Sequence, residues 1–301
     1  IRIRTMHETI EQYIEYIRDI RQLAARSVQA YTNDLNHFSA FCSDSGLDPT
    51  SVDYRAARRY VASLVEAEYS TTSINRMLSA IKGYYGFLVQ HQLCASSPFA
   101  RIRSIRGGRN LPTVLTVDEI HAILASPGDD FAGMRDRVIF EVLYSTGCRL
   151  SELLSIAIDE LNLTERVIKI RGKGGKERFL FLTASAAESI GDYLPLRNQR
   201  VQQRAPGKQS SRLLINRNGQ PLTPQGVHYI FRQYTSRLGL QKHITPHTIR
   251  HSFATHILDN NAGIRVVQEL LGHERISTTQ IYAHVSAERL KEVYEKSHPH
   301  G

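Results

Sequence analysis

Apolar residues recur at helical spacing through most of the first hundred positions. The run IEQYIEYIRDIRQLA, residues 10–24, places isoleucine, tyrosine and leucine three and four positions apart, which predicts an amphipathic helix. A second helix is predicted to begin with Ser27 as N-cap and to end at Gly46 as the C′ residue. Two more helices are predicted over residues 54–69 and 70–91. The N-terminal third is therefore expected to be all-helical.

The pattern becomes mixed in the rest of the chain. Thr116 begins a sequence with capping-box spacing, and residues 134–146 form a helical pattern that stops at Gly147. The segments RVIKI and ERFLFL then alternate with a period of two on either side of a glycine-rich turn. This arrangement predicts an antiparallel hairpin with Lys173 at or near its tip.

Two later helices begin at Thr-Pro pairs. Thr223 and Thr245 are predicted N-caps, and the prolines that follow them occupy the first helical position. The segment AERLKEVYEK near the C-terminus predicts a final helix.

A basic segment separates the two patterns. RIRSIRGGRNL, residues 101–111, contains a Gly-Gly pair and precedes Pro112, so we predict a linker there. The expected domains are a helical domain over 1–100 and a second domain over 112–301. The expected fold class is mainly α, with a small antiparallel β-sheet in the C-terminal domain.

The composition of the chain indicates which classes of partner the protein binds. The 301 residues carry a formal net charge of +9, and the sequence pI is about 9.5. This balance favours a polyanion, either nucleic acid or an anionic membrane. No apolar run is long enough to span a bilayer, and the first residues lack the apolar core of a secretory signal. Three widely spaced cysteines predict reduced thiols in a cytoplasmic protein, with Cys148 as a packing residue.

Candidate chemistry concentrates in the C-terminal half. The candidate residues are two arginines, a lysine, two histidines and a tyrosine. This set suits metal-free attack on a phosphodiester, because arginines bind phosphoryl oxygens and a tyrosine can be the nucleophile. The candidates are Arg149, Lys173, His247, Arg250, His273 and Tyr282. Each alone has an ordinary alternative: a cap or ion pair for Arg149, a surface lysine, a loop histidine, a packing tyrosine. Their combination within one chain makes these alternatives improbable together.

A metal site is not expected. His247 and His251 are four residues apart, but Thr248 stands where the metalloprotease pattern requires glutamate. His247 and Arg250 share a helix face close to an N-terminus, which favours a phosphate. No cofactor and no metal are predicted.

These motifs carry a family resemblance. The chain resembles the tyrosine recombinases, and among them the Xer-type site-specific recombinases, over essentially its whole length. The matching segments are TGCRLSEL, GKGGKER, TPHTIRHSFATH, LLGH and TTQIYAHV. All six candidate positions agree with the family pattern.

The resemblance implies the roles of the two arginines and the tyrosine. Arg149 and Arg250 would clamp the scissile phosphate, and Tyr282 would attack it to give a 3′-phosphotyrosyl link and a free 5′-hydroxyl. Glu152 would orient Arg149. The covalent link retains the energy of the phosphodiester, so religation would need neither ATP nor a divalent metal.

The resemblance also implies roles for the remaining candidates. Lys173 would be the general acid for the leaving 5′-oxygen. His247 would assist proton transfer at the tyrosine or bind a phosphate oxygen, and His273 would hydrogen-bond the same phosphate.

The implied assembly is a two-lobed clamp on double-stranded DNA. Four protomers, identical or of two kinds, would join two recombination sites, each donating its last helix to a neighbour; packing of that helix on its own domain is the alternative. A DNA translocase of cell division is a further implied partner. The biological task is either chromosome-dimer resolution or integration and excision of a mobile element. Rival hypotheses are a type IB topoisomerase-like enzyme and a catalytically silent DNA-binding regulator.

Overall fold

The chain folds as two compact units. The structure, a computed structural model, describes residues 6–48, 52–105, 113–171, 177–204, 210–272 and 287–300. Unit 1 comprises Ile1–Asn110 and unit 2 comprises Leu111–Gly301. The first residues of the predicted linker pack within unit 1, since Asn75 exchanges hydrogen bonds with the backbone of Ile105. Residues 106–112 lie outside the described part of the chain.

The secondary structure of unit 1 consists of helices joined by loops over its described residues, as the sequence predicts. Its α-helices are α1 (Met6–Glu15), α2 (Ala25–Asp44), α3 (Tyr54–Glu66) and α4 (Thr71–Gln90). α1 continues into a π-helical turn, Tyr16–Ile20. Aromatic side chains fill the core, where Phe38, Tyr60, Tyr85 and Phe99 are fully buried.

The helices of unit 1 include two with side-chain caps, α3 and α4, and one, α2, whose predicted cap is wrong. Asp53 and Ser70 cap α3 and α4 through side-chain hydrogen bonds. Ser27 is not the N-cap of α2, and this prediction is wrong: the helix begins at Ala25, and the Ser27 N–H donates to the Ala24 carbonyl. Alanine is the strongest helix former, so the helix extends past the serine. Gly46 has a φ of +62°, as expected of a C′ residue.

Unit 2 combines helices with a small sheet. Its helices are α5 (Val117–Ala125), α6 (Phe131–Thr146), α7 (Leu150–Ser155), α8 (Ala184–Arg204), α9 (Pro224–Arg237), α10 (Pro246–Asp259), α11 (Ile264–Leu271) and α12 (Ala287–Ser297). Its strands are β1 (Leu161–Asn162), β2 (Val167–Arg171) and β3 (Glu177–Phe181). They form an antiparallel sheet in the order β1-β2-β3, with Ile168 opposite Leu180. The predicted hairpin is confirmed, and its turn, residues 172–176, lies outside the described residues.

The core of unit 2 surrounds α6. Every residue from Val138 to Thr146 is buried, so the C-terminal half of this helix is covered on every side by its neighbours. α8 packs against it, although the sequence pattern does not predict a helix there. Its interior Pro195 is an ordinary signal against a helix.

The predicted caps and the glycine stop in unit 2 are confirmed, although α6 begins at Phe131, three residues before the predicted helical pattern. Thr116 and Glu119 form a capping box at α5, and Thr223 and Thr245 cap α9 and α10. Gly147 ends α6 in the left-handed region with φ +58°. A Cβ there would lie 2.3 Å from the ring of Phe253, so both conformation and space require glycine.

Candidate active site

Arg149 is held at the start of α7. It occupies the N-cap position, and its backbone N–H donates to Glu152 Oε2 at 2.8 Å. Its guanidinium Nη1 donates to Glu152 Oε1 at 3.0 Å, and Nη2 donates to the Gly272 carbonyl at 3.3 Å. The Arg149 side chain keeps 46% of its surface exposed, whereas Glu152 keeps 10%. The buried Glu152 carboxylate therefore orients the Arg149 guanidinium, which remains accessible to solvent.

Arg250 reaches the same region from α10. It lies in the first turns of that helix, which begins at Pro246 after the Thr245 cap. Its Nη1 donates to the Gly147 carbonyl, and its Nη2 donates to the Leu271 carbonyl at 2.9 Å. The residue is 8% exposed. These bonds place the guanidinium between the turn before Arg149 and the end of α11.

The C-terminus of α11 brings three guanidiniums together. The last carbonyls of a helix lack partners within the helix and carry partial negative charge, so they favour cations. Here Leu270 accepts from Arg178 at 2.6 Å, Leu271 accepts from Arg250, and Gly272 accepts from Arg149. Gly272 ends the helix with a φ of +64°. The side chains of α7, β3 and α10 thus converge on one helix end.

The charges in this cluster perturb one another. Burial, and then the positive charge of Arg149, lower the pKa of Arg250 to about 10, so it stays protonated at neutral pH. Burial alone would raise the pKa of Glu152, but the Arg149 N–H and the guanidinium of Arg178 hold it below its usual value. Three guanidiniums and one ionised carboxylate leave a net positive site. Such a site suits a phosphodiester, whose oxygens gain charge as phosphorus becomes five-coordinate.

The other candidate residues divide into one described position and three outside the described residues. His247 is exposed in the first turn of α10, the helix that also carries Arg250. Lys173, His273 and Tyr282 fall outside the described residues, so their positions stay predictions.

Arg178 is not among the residues that the sequence motifs indicate. Its Nη2 donates to Glu152 Oε2 at 2.9 Å, so it contacts the same carboxylate as Arg149. The signal was present in the two-residue period of β3, because Leu180 faces the core and Arg178 shares its face. A charged residue on the inward face of a strand requires a partner, and that partner is Glu152.

Cys148 is a packing residue, as expected from the sequence. It is 1% exposed, and burial raises the pKa of its thiol to about 11. A neutral thiol at this depth is not a nucleophile. Among the described residues, no helix is both long enough and apolar enough to cross a bilayer.

Comparison with known families matches both units. Residues 113–289 match the phage integrase family, and residues 10–92 match the phage integrase N-terminal SAM-like domain. The tyrosine recombinase XerD of Lacticaseibacillus casei is 37% identical over 297 residues, which cover 98% of this chain and 100% of that protein. The tyrosine recombinase XerC of Treponema denticola is 36% identical, over 98% of this chain and 100% of that protein.

Solved structures share the fold. The XerH site-specific recombinase bound to difH substrate, in a pre-cleavage complex, aligns with a TM-score of 0.68 at 23% identity, over 96% of this chain and 84% of that one. The Tn1549 transposon integrase in complex with circular intermediate DNA aligns with a TM-score of 0.69 at 19% identity, over 94% of this chain and 98% of that one.

Proposed function

Because the chain belongs to the phage integrase family and is a Xer-type tyrosine recombinase, an enzyme that cuts and rejoins DNA at specific sites, we propose that Arg149, Arg250 and Tyr282 perform the cleavage. The observation that supports this proposal is the convergence of Arg149 and Arg250 on the end of α11. Two guanidiniums held by protein acceptors are preorganised to bind a phosphate, which lowers the cost of stabilising charge during reaction.

The proposed reaction forms a covalent intermediate. The Tyr282 oxygen attacks the scissile phosphorus, the bond to the 5′-oxygen breaks, and a 3′-phosphotyrosyl link results. Lys173 gives a proton to the leaving 5′-oxygen. A free tyrosine has a pKa of about 10, so the reaction needs a group that accepts its proton, and His247 is our candidate. His273 binds a phosphate oxygen. Religation reverses these steps.

A nicked duplex tests the chemistry. The duplex carries the sequence that the protein selects from a random library, and the nick lets the cleaved fragment diffuse away. We expect an adduct of protein and DNA that survives SDS and forms in the presence of EDTA. Tyr282→Phe should abolish it, while Tyr229→Phe, at an exposed tyrosine on α9, should leave it unchanged. An adduct in Tyr282→Phe would show that another residue is the nucleophile.

Unit 1 is the proposed DNA-gripping domain. Arg55, Arg58 and Arg59 are exposed on α3, opposite Ala56 and Tyr60, which are buried. Their spacing places them close together on the outer side of the helix. Arginines arranged in this way neutralise backbone phosphates and hold a protein on duplex DNA without reading its sequence.

The proposed assembly is four protomers on two DNA sites in the cytoplasm. Strand exchange requires two cleaved duplexes side by side, so recombination needs more than one active site. Mass measurement of the protein bound to its selected duplex checks this. We expect a complex with four chains and two duplexes; a complex that never exceeds one chain on one duplex would contradict it.

A further inference from the structure

Arg178 connects three segments of unit 2 that lead to proposed catalytic residues. It lies on β3, the strand that follows Lys173 in the sequence. Its Nη2 donates to Glu152 Oε2 at 2.9 Å, and Glu152 holds Arg149. Its Nη1 donates at 2.6 Å to the carbonyl of Leu270, near the end of the helix that precedes His273.

The Arg178 guanidinium is enclosed by protein. Its side chain is 18% exposed, compared with 46% for Arg149. Both of its Nη atoms bond to protein acceptors, and its Nε is buried with no acceptor among the described residues. Arg149 faces solvent and can meet a phosphate, whereas Arg178 has its donors turned into the protein. Its influence on the reaction therefore passes through its neighbours.

Arg178 fixes the orientation of Glu152. The carboxylate receives the Arg149 guanidinium on Oε1, and it receives the Arg178 guanidinium and the Arg149 N–H on Oε2. With both oxygens occupied, the carboxylate cannot rotate without breaking a charge-assisted bond. Without Arg178, one of these restraints is lost, and Glu152 no longer holds the Arg149 guanidinium in a single orientation.

Arg178 also supports the turn at Gly272. A Cβ at that position would lie 3.1 Å from Arg178 Nε and 3.2 Å from its Cζ, so the backbone packs directly on the guanidinium. Gly272 is the acceptor for Arg149 Nη2. The same arginine thus restrains both protein groups that orient Arg149.

We propose that Arg178 is a positioning residue for DNA cleavage. It holds Glu152 and the end of α11 in the arrangement that aims Arg149 at the scissile phosphate. The inference rests on the proposed function. A lysine cannot replace it, because a single ammonium does not bridge a carboxylate and a carbonyl as the planar guanidinium does.

The test is single-turnover cleavage of the nicked duplex by Arg178→Lys. At saturating DNA, we expect the cleavage rate to fall by about 10- to 100-fold, the loss that follows a small misplacement of a reacting group. DNA affinity should stay at the wild-type value. Arg137→Lys is the matched control, because Arg137 also bridges a carbonyl and a carboxylate, those of Pro127 and Asp129. Its cleavage rate should match that of the wild type.

A double variant separates positioning from general damage to the fold. Because Arg178 acts in part through Glu152, Arg178→Lys combined with Glu152→Gln should lose less rate than the product of the two single losses. A combined loss equal to the product of the single losses overturns the proposal, as does a loss of DNA affinity equal to the loss of rate. Should Arg178→Lys fail to fold, Arg178→Gln, which keeps one amide donor, replaces it in the same comparison.

The wild-type adduct is the reference for these measurements. Its absence overturns the proposed function and this inference together. A wild-type rate in Arg178→Lys, measured beside a normal wild-type adduct, overturns this inference alone.

Discussion

Arg250 is a buried cation that we propose binds an anion, the scissile phosphate. Its burial and the neighbouring positive charges lower its pKa to about 10, yet it keeps its proton at neutral pH. The carbonyls of Gly147 and Leu271 accept two of its five N–H donors and compensate part of the lost hydration. A guanidinium held in this way needs little reorganisation when a phosphate arrives.

Replacement of Arg250 should therefore affect chemistry more than binding. We expect Arg250→Ala to reduce the single-turnover cleavage rate by roughly 100-fold or more, the typical cost of removing a preorganised donor. DNA affinity should change little, because many other phosphate contacts remain. Arg166→Ala removes a partly exposed arginine of the same unit, paired with Glu295, and is the control. Equal losses of rate and affinity in Arg250→Ala would assign it to binding alone.

At the scale of elements, helix ends organise the site. The start of α7 presents Arg149, the start of α10 presents His247 and Arg250, and the end of α11 gathers the guanidiniums. Unpaired backbone groups at helix ends attract charged side chains, so these ends fix charges in place. The caps that define the ends should matter for cleavage as well as for stability.

The cap of α10 provides a test of this idea. Thr245 Oγ1 accepts from the Thr248 N–H, and Thr223 Oγ1 accepts from the Gly226 N–H in the same way at α9. Each threonine-to-alanine change should reduce the free energy of unfolding by about 1 kcal/mol. Only Thr245→Ala should also slow cleavage, because it loosens the turn that carries His247. Urea unfolding and single-turnover cleavage check this; equal rates in the two variants would contradict it.

The last helix packs on its own unit. Tyr294 of α12 is 2% exposed and exchanges a hydrogen bond with Ser145 of α6 at 3.0 Å. His298, which follows α12, donates from Nε2 to the Tyr144 carbonyl at 3.1 Å and accepts the His300 N–H on Nδ1. This pattern requires the neutral ring. Donation of α12 to a neighbour in a tetramer stays a prediction, and it would require these contacts to break.

His298 gives stability a defined pH dependence. Burial lowers its pKa from 6.5 to about 4, so the folded state disfavours the protonated ring. Its contribution is complete above about pH 6.5 and is lost as pH falls from there towards 4, because the unfolded chain binds the proton first. The loss should reach at most about 3 kcal/mol. Urea unfolding across this range should show a steeper decline in the wild type than in His298→Gln.

Neighbouring titratable groups do not obscure this comparison. His256 and Glu141, which lie in the same region of unit 2, are present in both proteins, so the difference between the two curves reports on His298 together with its coupling to them. Parallel curves would mean that His298 is equally protonated in the folded and unfolded states.

At the scale of the whole molecule, net charge sets the interaction with DNA. The +9 balance includes the exposed α3 arginines of unit 1, and the three guanidiniums at the end of α11 in unit 2 are also positive. Phosphate contacts release counterions, so DNA affinity should fall steeply with salt. A DNA translocase of cell division remains a prediction of the family resemblance.

The α3 arginines should account for a measurable share of this salt dependence. Each phosphate contact contributes about −0.9 to the slope of log affinity against log salt. The triple change of Arg55, Arg58 and Arg59 to alanine should make the slope shallower by roughly 2 to 3. Arg18→Ala is the control, since Arg18 already pairs with Asp19. An unchanged slope in the triple variant would remove α3 from the DNA interface.

The amino-acid sequence by itself determined the local structure and the chemistry. Apolar periodicity, capping residues and glycine stops are local signals, so they predict helices such as α5, α9 and α10 and the β2–β3 hairpin. The residue types at Arg149 and Arg250, and the motifs around them, indicated phosphodiester chemistry. The sequence does not predict α8, because Pro195 weakens the local helix signal. In the folded protein, packing of α8 against α6 outweighs the unfavourable effect of this proline.

The tertiary structure alone decided how the separate motifs combine. Arg149, Arg178 and Arg250 meet because α7, β3 and α10 pack around the end of α11, and no local pattern encodes that meeting. Arg178 in particular gains its role from contacts with Glu152 and Leu270, which are distant from it in the sequence. Sequence periodicity identifies which face of an element is buried, whereas only packing determines which neighbour covers that face.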